Sequence, residues 1–359
     1  MAANTFGNYF RVSTFGESHG KAMGGIIDGC PSGLKLNIER IQKELDRRRP
    51  GQSKLVSSRN EPDRIEFLSG ISEGVTLGTP IGFIIRNKDH RPEDYDSLKN
   101  VYRPSHADYT WEMKFGIRES AGGGRSSARE TVCRVAAGAV ARLLLEKAGI
   151  TITAWVKSIG EVSIDPGQRS WSFDQIENSP VRCPDPDVSR LMEELILKTG
   201  KEGDTLGGVI ECHIAGVPAG WGAPVFDKLD ARLAYALMGI NAVKGFEIGS
   251  GFKSTTMKGS QHNDPFIPGN GEITTASNHA GGILGGISSG NPITFRVAFK
   301  PVATLMKDQP TVTREGKSTM IHPAGRHDVC VVPRAVPIVE AMAALVLADF
   351  YLEARLNQL

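Results

Sequence analysis

GGGRSSARETVCRVAAGAVARLLLEKAG, residues 122–149, is the stretch around which the rest of the chain is arranged. Three glycines lead into Arg125, Ser126 and Ser127. Apolar residues then recur at Val132, Val135, Ala136, Ala139, Val140, Leu143 and Leu144. That spacing predicts a helix from Ala128 to Lys147. Ser127-Ala128-Arg129-Glu130 reads as a capping box, with Ser127 accepting from the Glu130 N–H and Glu130 reaching back to Ser127. Gly149 stands where a left-handed C-cap belongs. Bare backbone, two hydroxyls and two arginines therefore sit at the positive end of a buried helix, which suits an anion. A glycine-rich turn feeding an ordinary core helix fits the same residues, and this stretch alone does not separate the two.

The chain around it has 359 residues, 40% hydrophobic and 23% charged, the balance of a globular protein. A formal charge of +2 argues against bulk nucleic-acid binding. The arginines are nevertheless clustered, at Arg47-Arg48-Arg49 and at Arg118, Arg125, Arg129 and Arg134. Local positive charge on a near-neutral chain suits a small polyanion. For the first cluster, a helix C-terminus would account for one or two members. Five cysteines (Cys30, Cys133, Cys183, Cys212, Cys330) are scattered without a CxxC pair. Neither a zinc site nor a disulfide framework is expected, and a reducing cytoplasm is. No signal peptide or membrane-spanning run is expected either, so the chain is placed in the cytoplasm with no membrane partner.

In order, residues 6–15 alternate as a strand ending at Gly16-Glu17-Ser18-His19-Gly20. A strand at Gly24 to Asp28, a Pro31/Gly33 turn and a helix capped by Asn37 follow, with Ile38, Ile41 and Leu45 on one face. Residues 50–64 read as a loop, Ile65 to Leu68 and Ile81 to Ile85 as strands, and residues 86–108 are charged. Residues 151–164 read as strand, 165–187 as irregular, and Val188 to Lys198 as a short helix stopped by Gly200.

The early pattern then returns. Gly24-Gly25-Ile26-Ile27-Asp28 resembles Gly207-Gly208-Val209-Ile210-Glu211, and each precedes a helix, the second with Leu229, Leu233, Leu237 and Ile240 on its face. Leu68 to Ser72 resembles Leu284 to Ser288, and Pro80 to Phe83 resembles Pro292 to Phe295. Each half closes with a long apolar helix, the second from Arg334 to Arg355. This predicts one domain of two similar halves, about 1–150 and 201–359, with an irregular link over 151–200. Glycine-rich strings also match by chance. Strands in hairpin-like pairs favour an α+β fold over a doubly wound parallel sheet: a β-α-β sandwich with a helical centre between mainly antiparallel sheets and an internal pseudo-twofold duplication.

Two histidines lie in polar loops, His19 and His106, the latter in Pro104-Ser105-His106-Ala107-Asp108. An imidazole in such a setting can be a general acid, or a plain surface residue. His90, His262 and His322 have no such setting and read as structural. Asn278-His279-Ala280-Gly281-Gly282 could offer backbone to a flat ligand. Asp328, after Arg326, reads as a salt-bridged surface carboxylate or one held at a reactive centre. There is no G-x-S-x-G elbow or Walker loop, and Gly281 to Gly286 leads into a strand, so a dinucleotide site fits poorly.

Together, Gly16-Glu17-Ser18-His19-Gly20, Gly124 to Thr131, and Gly325-Arg326-His327-Asp328 with Pro333-Arg334-Ala335-Val336-Pro337 resemble the three signatures of the chorismate synthase family. Arg47 to Gly51, Arg103 to Asp108, Ile240 to Gly245 and Ser277 to Gly282 fit as well, so the resemblance runs from about Thr5 to Leu352. It implies trans-1,4 elimination of phosphate from 5-enolpyruvylshikimate 3-phosphate to give chorismate, with reduced FMN as cofactor and no net redox change. It implies a homotetramer too. Carried over residue by residue, Arg48, Arg49, Lys54, Arg103, Arg129 and Arg326 would hold the substrate anions. Arg125, Ser126, Ser127, Asn241, Ala242, Gly285, Lys300, Pro301, Val302, Ala303, Thr304 and Arg326 would hold the flavin. His106 would protonate the departing phosphate, His19 would act on the reduced flavin, and Asp328 would help take the substrate hydrogen.

Two positions depart from the family pattern. Lys54 stands where many relatives place arginine, keeping the charge but losing the bidentate fork. Lys300 to Thr304 is poorer in hydroxyls, so backbone would have to serve at Val302 and Ala303. No nicotinamide motif or reductase domain is apparent, so an external flavin reductant is expected. A flavin-dependent oxidoreductase acting on a small polyanion, and a non-catalytic polyanion-binding protein, are the competing readings. If the halves do match, Arg125-Ser126-Ser127 before the first long helix could hold one anionic ligand and Gly325-Arg326-His327-Asp328 before the second another, the two facing each other across the pseudo-twofold with the chemistry between them. Helix starts on opposite faces would remove that site.

Overall fold

The computed structural model describes residues 3–51, 61–88, 98–119, 122–165, 171–269, 273–321 and 328–356. Lys54, His90, His322 and the Gly325-Arg326-His327 part of the last signature lie outside the described residues. In chain order, β1 (Thr5–Phe6), β2 (Arg11–Gly16) and β3 (Ala22–Asp28) precede α1 (Ile38–Arg48). Next come β4 (Ile65–Phe67), a hairpin of β5 (Ile71–Ser72) and β6 (Val75–Thr76), β7 (Ile81–Arg86), α2 (Asp108–Phe115) and α3 (Thr131–Glu146). The second half opens with β8 (Thr151–Ile159), β9 (Val162–Ser163), α4 (Phe173–Glu177), α5 (Pro186–Lys201), β10 (Gly208–Ala215) and α6 (Leu229–Met238). It continues with β11 (Val243–Ile248), α7 (Gly259–His262), and two hairpins, β12 (Phe266–Pro268) with β13 (Ile273–Thr275) and β14 (Ile283–Leu284) with β15 (Ile287–Ser288). It ends with β16 (Ile293–Phe299), the hairpin of β17 (Gln309–Val312) and β18 (Ser318–Ile321), and α8 (Val332–Ala354).

Two five-stranded sheets, in the orders β1-β2-β3-β7-β4 and β9-β8-β10-β16-β11, are antiparallel throughout. Every second residue of β7 and β16 is buried, which is the period of a strand with one face on a core. Between the sheets lie α3, which touches β2 and β3, and α8, which touches β8 and β10. The expected helical centre between antiparallel sheets is therefore present. By length and composition α8 could cross a membrane, but 89% of its apolar window is buried inside the protein, so it is a core helix.

Where the structure differs from the sequence reading, a competing bond explains it. The capping box does not form. Ser127 Oγ accepts from the Arg129 N–H at 3.3 Å, and the Glu130 carboxylate turns to Arg134 Nε at 2.9 Å. Two short 3₁₀ turns result, and α3 starts only at Thr131. At its other end Gly149 takes the expected left-handed conformation, with φ +76°. The strand expected over residues 6–15 is broken, because the N–H groups of Asn8, Tyr9 and Phe10 all donate to Asp349 of α8. The segment 151–200 is not an irregular link: β8 is an interior strand of the second sheet. Helix α5 is capped by Asp185 and runs through Gly200. Helix α2 was not anticipated, since Asp-Tyr-Thr-Trp-Glu-Met-Lys-Phe has no clean apolar stripe.

The central pair of helices meets at Gly138, where only the Ala341 methyl stands at the contact. A Cβ built on Gly138 of α3 falls 2.4 Å from Ala341 Cβ and 2.6 Å from Ala341 Cα. One position further back, Glu340 is 1% exposed and is ion-paired with Arg47 at 2.6 Å and Arg142 at 3.0 Å, while accepting from the Ala154 N–H at 3.0 Å. In a free helix, Gly138→Ala would gain about 1 kcal/mol. Here overpacking should reverse the sign and cost about 1–3 kcal/mol. A lowered urea midpoint is the expected result, and a raised midpoint would show that the two helices can move apart.

Candidate active site

A cavity of about 430 Å³ opens where α3 and α8 begin. Ser126, Ser127, Ala128 and Thr131 line it from the approach to α3; Asp328, Val331, Arg334 and Ala335 line it from the approach to α8. Both helix starts thus face one space. Arg48, Arg103, His106 and Arg129 also line it, as do Asn241, Ala242 and the Lys300–Thr304 segment.

The lining arginines rest on buried carboxylates. Arg48 is 2% exposed and donates to Asp63 Oδ2 at 3.0 Å, Thr131 Oγ1 at 3.2 Å and the Ala128 carbonyl at 2.9 Å. Arg129 pairs with the other oxygen of the same Asp63 and donates to Asn87 Oδ1 at 3.0 Å. Its Nη2 has no hydrogen-bond partner among the described residues; Glu61 is 3.9 Å away. Burial pushes the Arg48 guanidinium down to about 10 despite Asp63, and the nearby charges of Arg334 and Arg129 push the same way. An incoming anion would relieve both strains. Two cations thus wait on one carboxylate, whose own backbone is left-handed, with φ +45° at Asp63.

His106 lies beside Asp108, with Nδ1 2.8 Å from Oδ1. Burial pushes His106 below the usual imidazole range; Asp108 pulls it back, and Arg103 and Arg118 oppose that. Burial alone would raise the Asp108 carboxyl, but the bonds to Arg103 and His106 hold it well below the usual carboxylate range. Asp328 pairs with Arg334, whose Nε also donates to the Arg48 carbonyl at 3.2 Å. Asn241 Nδ2 donates to the Ser126 carbonyl at 2.9 Å, while its buried Oδ1 has no partner among the described residues. Ala242 is left-handed, with φ +68°.

Not every expected residue arrives. His19 stands behind the wall, so close that a Cβ on Gly122 would fall 2.4 Å from its Cδ2. Arg125 faces away, donating to Thr14 Oγ1 at 2.7 Å and Asn4 Oδ1 at 3.0 Å, and it lines a neighbouring cavity of about 320 Å³. Arg49 does not line the cavity; its Nε lies 3.8 Å from Asp46. Gly285 sits in the turn of the β14–β15 hairpin, away from it. The Asn278–Gly282 turn is likewise elsewhere, with the His279 and Ala280 N–H groups donating to Asp264. Arg326 and Lys54 are outside the described residues. Sequence reasoning missed Asp63, Asn87 and Asp108 as partners of the cavity cations. Only Asp108 carried a signal, because it shares a motif with Arg103 and His106. Asp63→Ala should leave Arg48 and Arg129 buried without their counter-charge and cost about 3–5 kcal/mol in denaturant unfolding. An unchanged midpoint would mean that Glu61 suffices.

The chorismate synthase family matches residues 10–352 of this chain. Chorismate synthase of Phocaeicola vulgatus is 56% identical over 356 residues, covering 99% of each chain. That of Christiangramia forsetii is 55% identical over 359 residues, covering 100% of each. A crystal structure of a chorismate synthase matches with a TM-score of 0.77 at 34% identity, covering 97% of this chain and 93% of the other. Agreement that runs from the first strands through α8, and includes both helix starts around the cavity, leaves one assignment: the chain belongs to the chorismate synthase family, lyases of the shikimate pathway.

Proposed function

We propose that this chain eliminates phosphate from 5-enolpyruvylshikimate 3-phosphate in the 430 Å³ cavity, with reduced FMN as its cofactor. The observation that carries the reading is a single cavity whose lining combines buried cations with apolar residues. Three buried arginines and a histidine suit a substrate with one phosphate and two carboxylates. Ile240, Ala242, Phe299, Val302 and Ala303 add a mostly apolar part to the same lining. It is edged by Ser126, Ser127, Asn241, Lys300 and Thr304. The unpartnered Asn241 Oδ1 offers an acceptor there, and Arg125 Nη1, buried behind the same turn, is also without a partner among the described residues. This set fits a flat heteroaromatic ring with polar edges. When bound, reduced flavin supplies transient electron donation to the substrate.

The protein's own part is positioning and proton handling. Arg48, Arg103 and Arg129 hold the substrate anions, and Ser126, Ser127, Asn241, Ala242 and Lys300 to Thr304 hold the cofactor, with Pro301, Val302 and Ala303 serving through backbone. His106 donates a proton to the departing phosphate. Asp328, fixed by Arg334, serves the position from which the substrate hydrogen leaves, and His19 acts from behind Gly122 on the cofactor's charge. An external reductant, a homotetrameric assembly in the cytoplasm, and an origin of the two halves by duplication belong to the same reading. The matching strand orders, β2-β3-β7-β4 and β8-β10-β16-β11, support the last.

An anaerobic assay with photoreduced FMN tests the reaction class. The elimination needs only catalytic reductant, whereas an oxidoreductase consumes one equivalent per turnover. In the same assay His106→Ala should lose about 10²–10⁴ in kcat with substrate binding retained. Unchanged turnover would remove His106 as the proton donor.

A further inference from the structure

Asp108 has no role in the reaction as described so far, yet it stands beside the group that moves the proton. It is 3% exposed and opens α2. Arg103 grips it three times, through its backbone N–H at 3.1 Å, Nε at 2.8 Å and Nη2 at 2.8 Å. Arg118 Nη1 is 3.2 Å from Oδ1, and the same guanidinium donates through Nε to Glu112 and through Nη2 to the Leu98, Lys99 and Val101 carbonyls. The carboxylate cannot swing. Its contact with His106 is short but bent, without hydrogen-bond alignment. Catalytic hydrogen bonds are often misaligned before substrate arrives and tighten in the complex.

Other groups limit the imidazole to a small turn. Ser105 is left-handed, with φ +56°, and its carbonyl accepts from Lys300 Nζ at 3.3 Å. A Cβ on Gly123 would fall 3.1 Å from His106 Cε1, so bare backbone backs the ring. Among the described residues the charged groups acting on the ring are Asp108, Arg103 and Arg118, one anion against two cations.

We propose that Asp108 is a positioning residue for this reaction: it accepts the Nδ1 proton of His106, leaves Nε2 to the substrate phosphate, and offsets the imidazolium charge the donor carries. The inference rests on His106 as the proton donor. The Nε2 proton passes to the leaving phosphate oxygen as its bond to carbon breaks. The ring returns to neutral with its Nδ1–H donating to Asp108, and solvent restores the Nε2 proton. Asp108 itself never holds a proton, as in other carboxylate–histidine pairs.

Nitrogen-15 NMR of histidine-labelled intact enzyme tests this without a variant: neutral His106 should be the Nδ1–H tautomer, and an Nε2–H tautomer would overturn the proposal. Asp108→Asn should lower the His106 pKa and cut kcat by about 10²–10⁴. The donor must be protonated, so kcat falls as pH rises through the His106 pKa. Asp108→Asn should move that falling limb to lower pH, and Arg118→Gln should move it to higher pH. A merely structural role would not give opposite shifts, and limbs that stay in place or move together would overturn the proposal. Should Asp108→Asn not fold, the tautomer and the Arg118→Gln limb decide. Full turnover in His106→Ala would instead defeat the donor assignment, whatever tautomer is found.

Discussion

Two helices in close contact, Gly138 on Ala341, hold the molecule in register. Because only the Ala341 methyl fits against Gly138 there, α3 and α8 cannot slide without collision. Their N-terminal ends are thereby placed around a single cavity. The contact is reinforced by charge. Glu340, the residue before Ala341 in α8, gathers Arg47 from α1, Arg142 from α3 and the backbone of β8 onto one buried carboxylate. Such a network adds little net stability over an apolar core of equal shape. Its geometry, however, admits one arrangement of the helices and the second sheet.

The cavity repeats that logic with the signs reversed. Its cations are the functional groups, and buried acids hold them in place: Asp63 for Arg48 and Arg129, Asp108 for Arg103. Side chains locked before a ligand arrives lose less freedom when it binds. The cost appears in the backbone. Asp63, Ser105 and Ala242 all sit at positive φ without being glycine. Each such residue stores roughly 1–3 kcal/mol, a burden that the rest of the fold carries and that tends to gather at working sites.

The layers, the two long helices and the C-cap at Gly149 were legible in the chain because they follow local rules of period and glycine placement. So was the meeting of the two helix starts, through the internal repeat. What escaped was decided by partners distant in sequence. Glu130 would have closed a capping box had Arg134 not claimed it one turn later. The first strand would have run unbroken had Asp349 not drawn three N–H groups out of line. Asp63 lies in an unpatterned segment, and nothing local says that two arginines from different helices will converge on it. The run Arg47-Arg48-Arg49 shows the same limit. One residue serves the Glu340 network and the next lines the cavity, while the third lies outside it. A charge cluster in sequence is therefore not one in space.

The Asp349 contact also bears on how the chain comes together. Three backbone donors near the N-terminus depend on a carboxylate about 340 positions later. On the ribosome the first sheet can pair β2 with β3 and β7 early, because all its strands lie within the first quarter of the chain. The turn over residues 8–10 cannot find its acceptor until α8 has been made. The edge of the oldest sheet is thus finished by the newest helix, and closing the fold becomes a late event that joins the two ends of the chain.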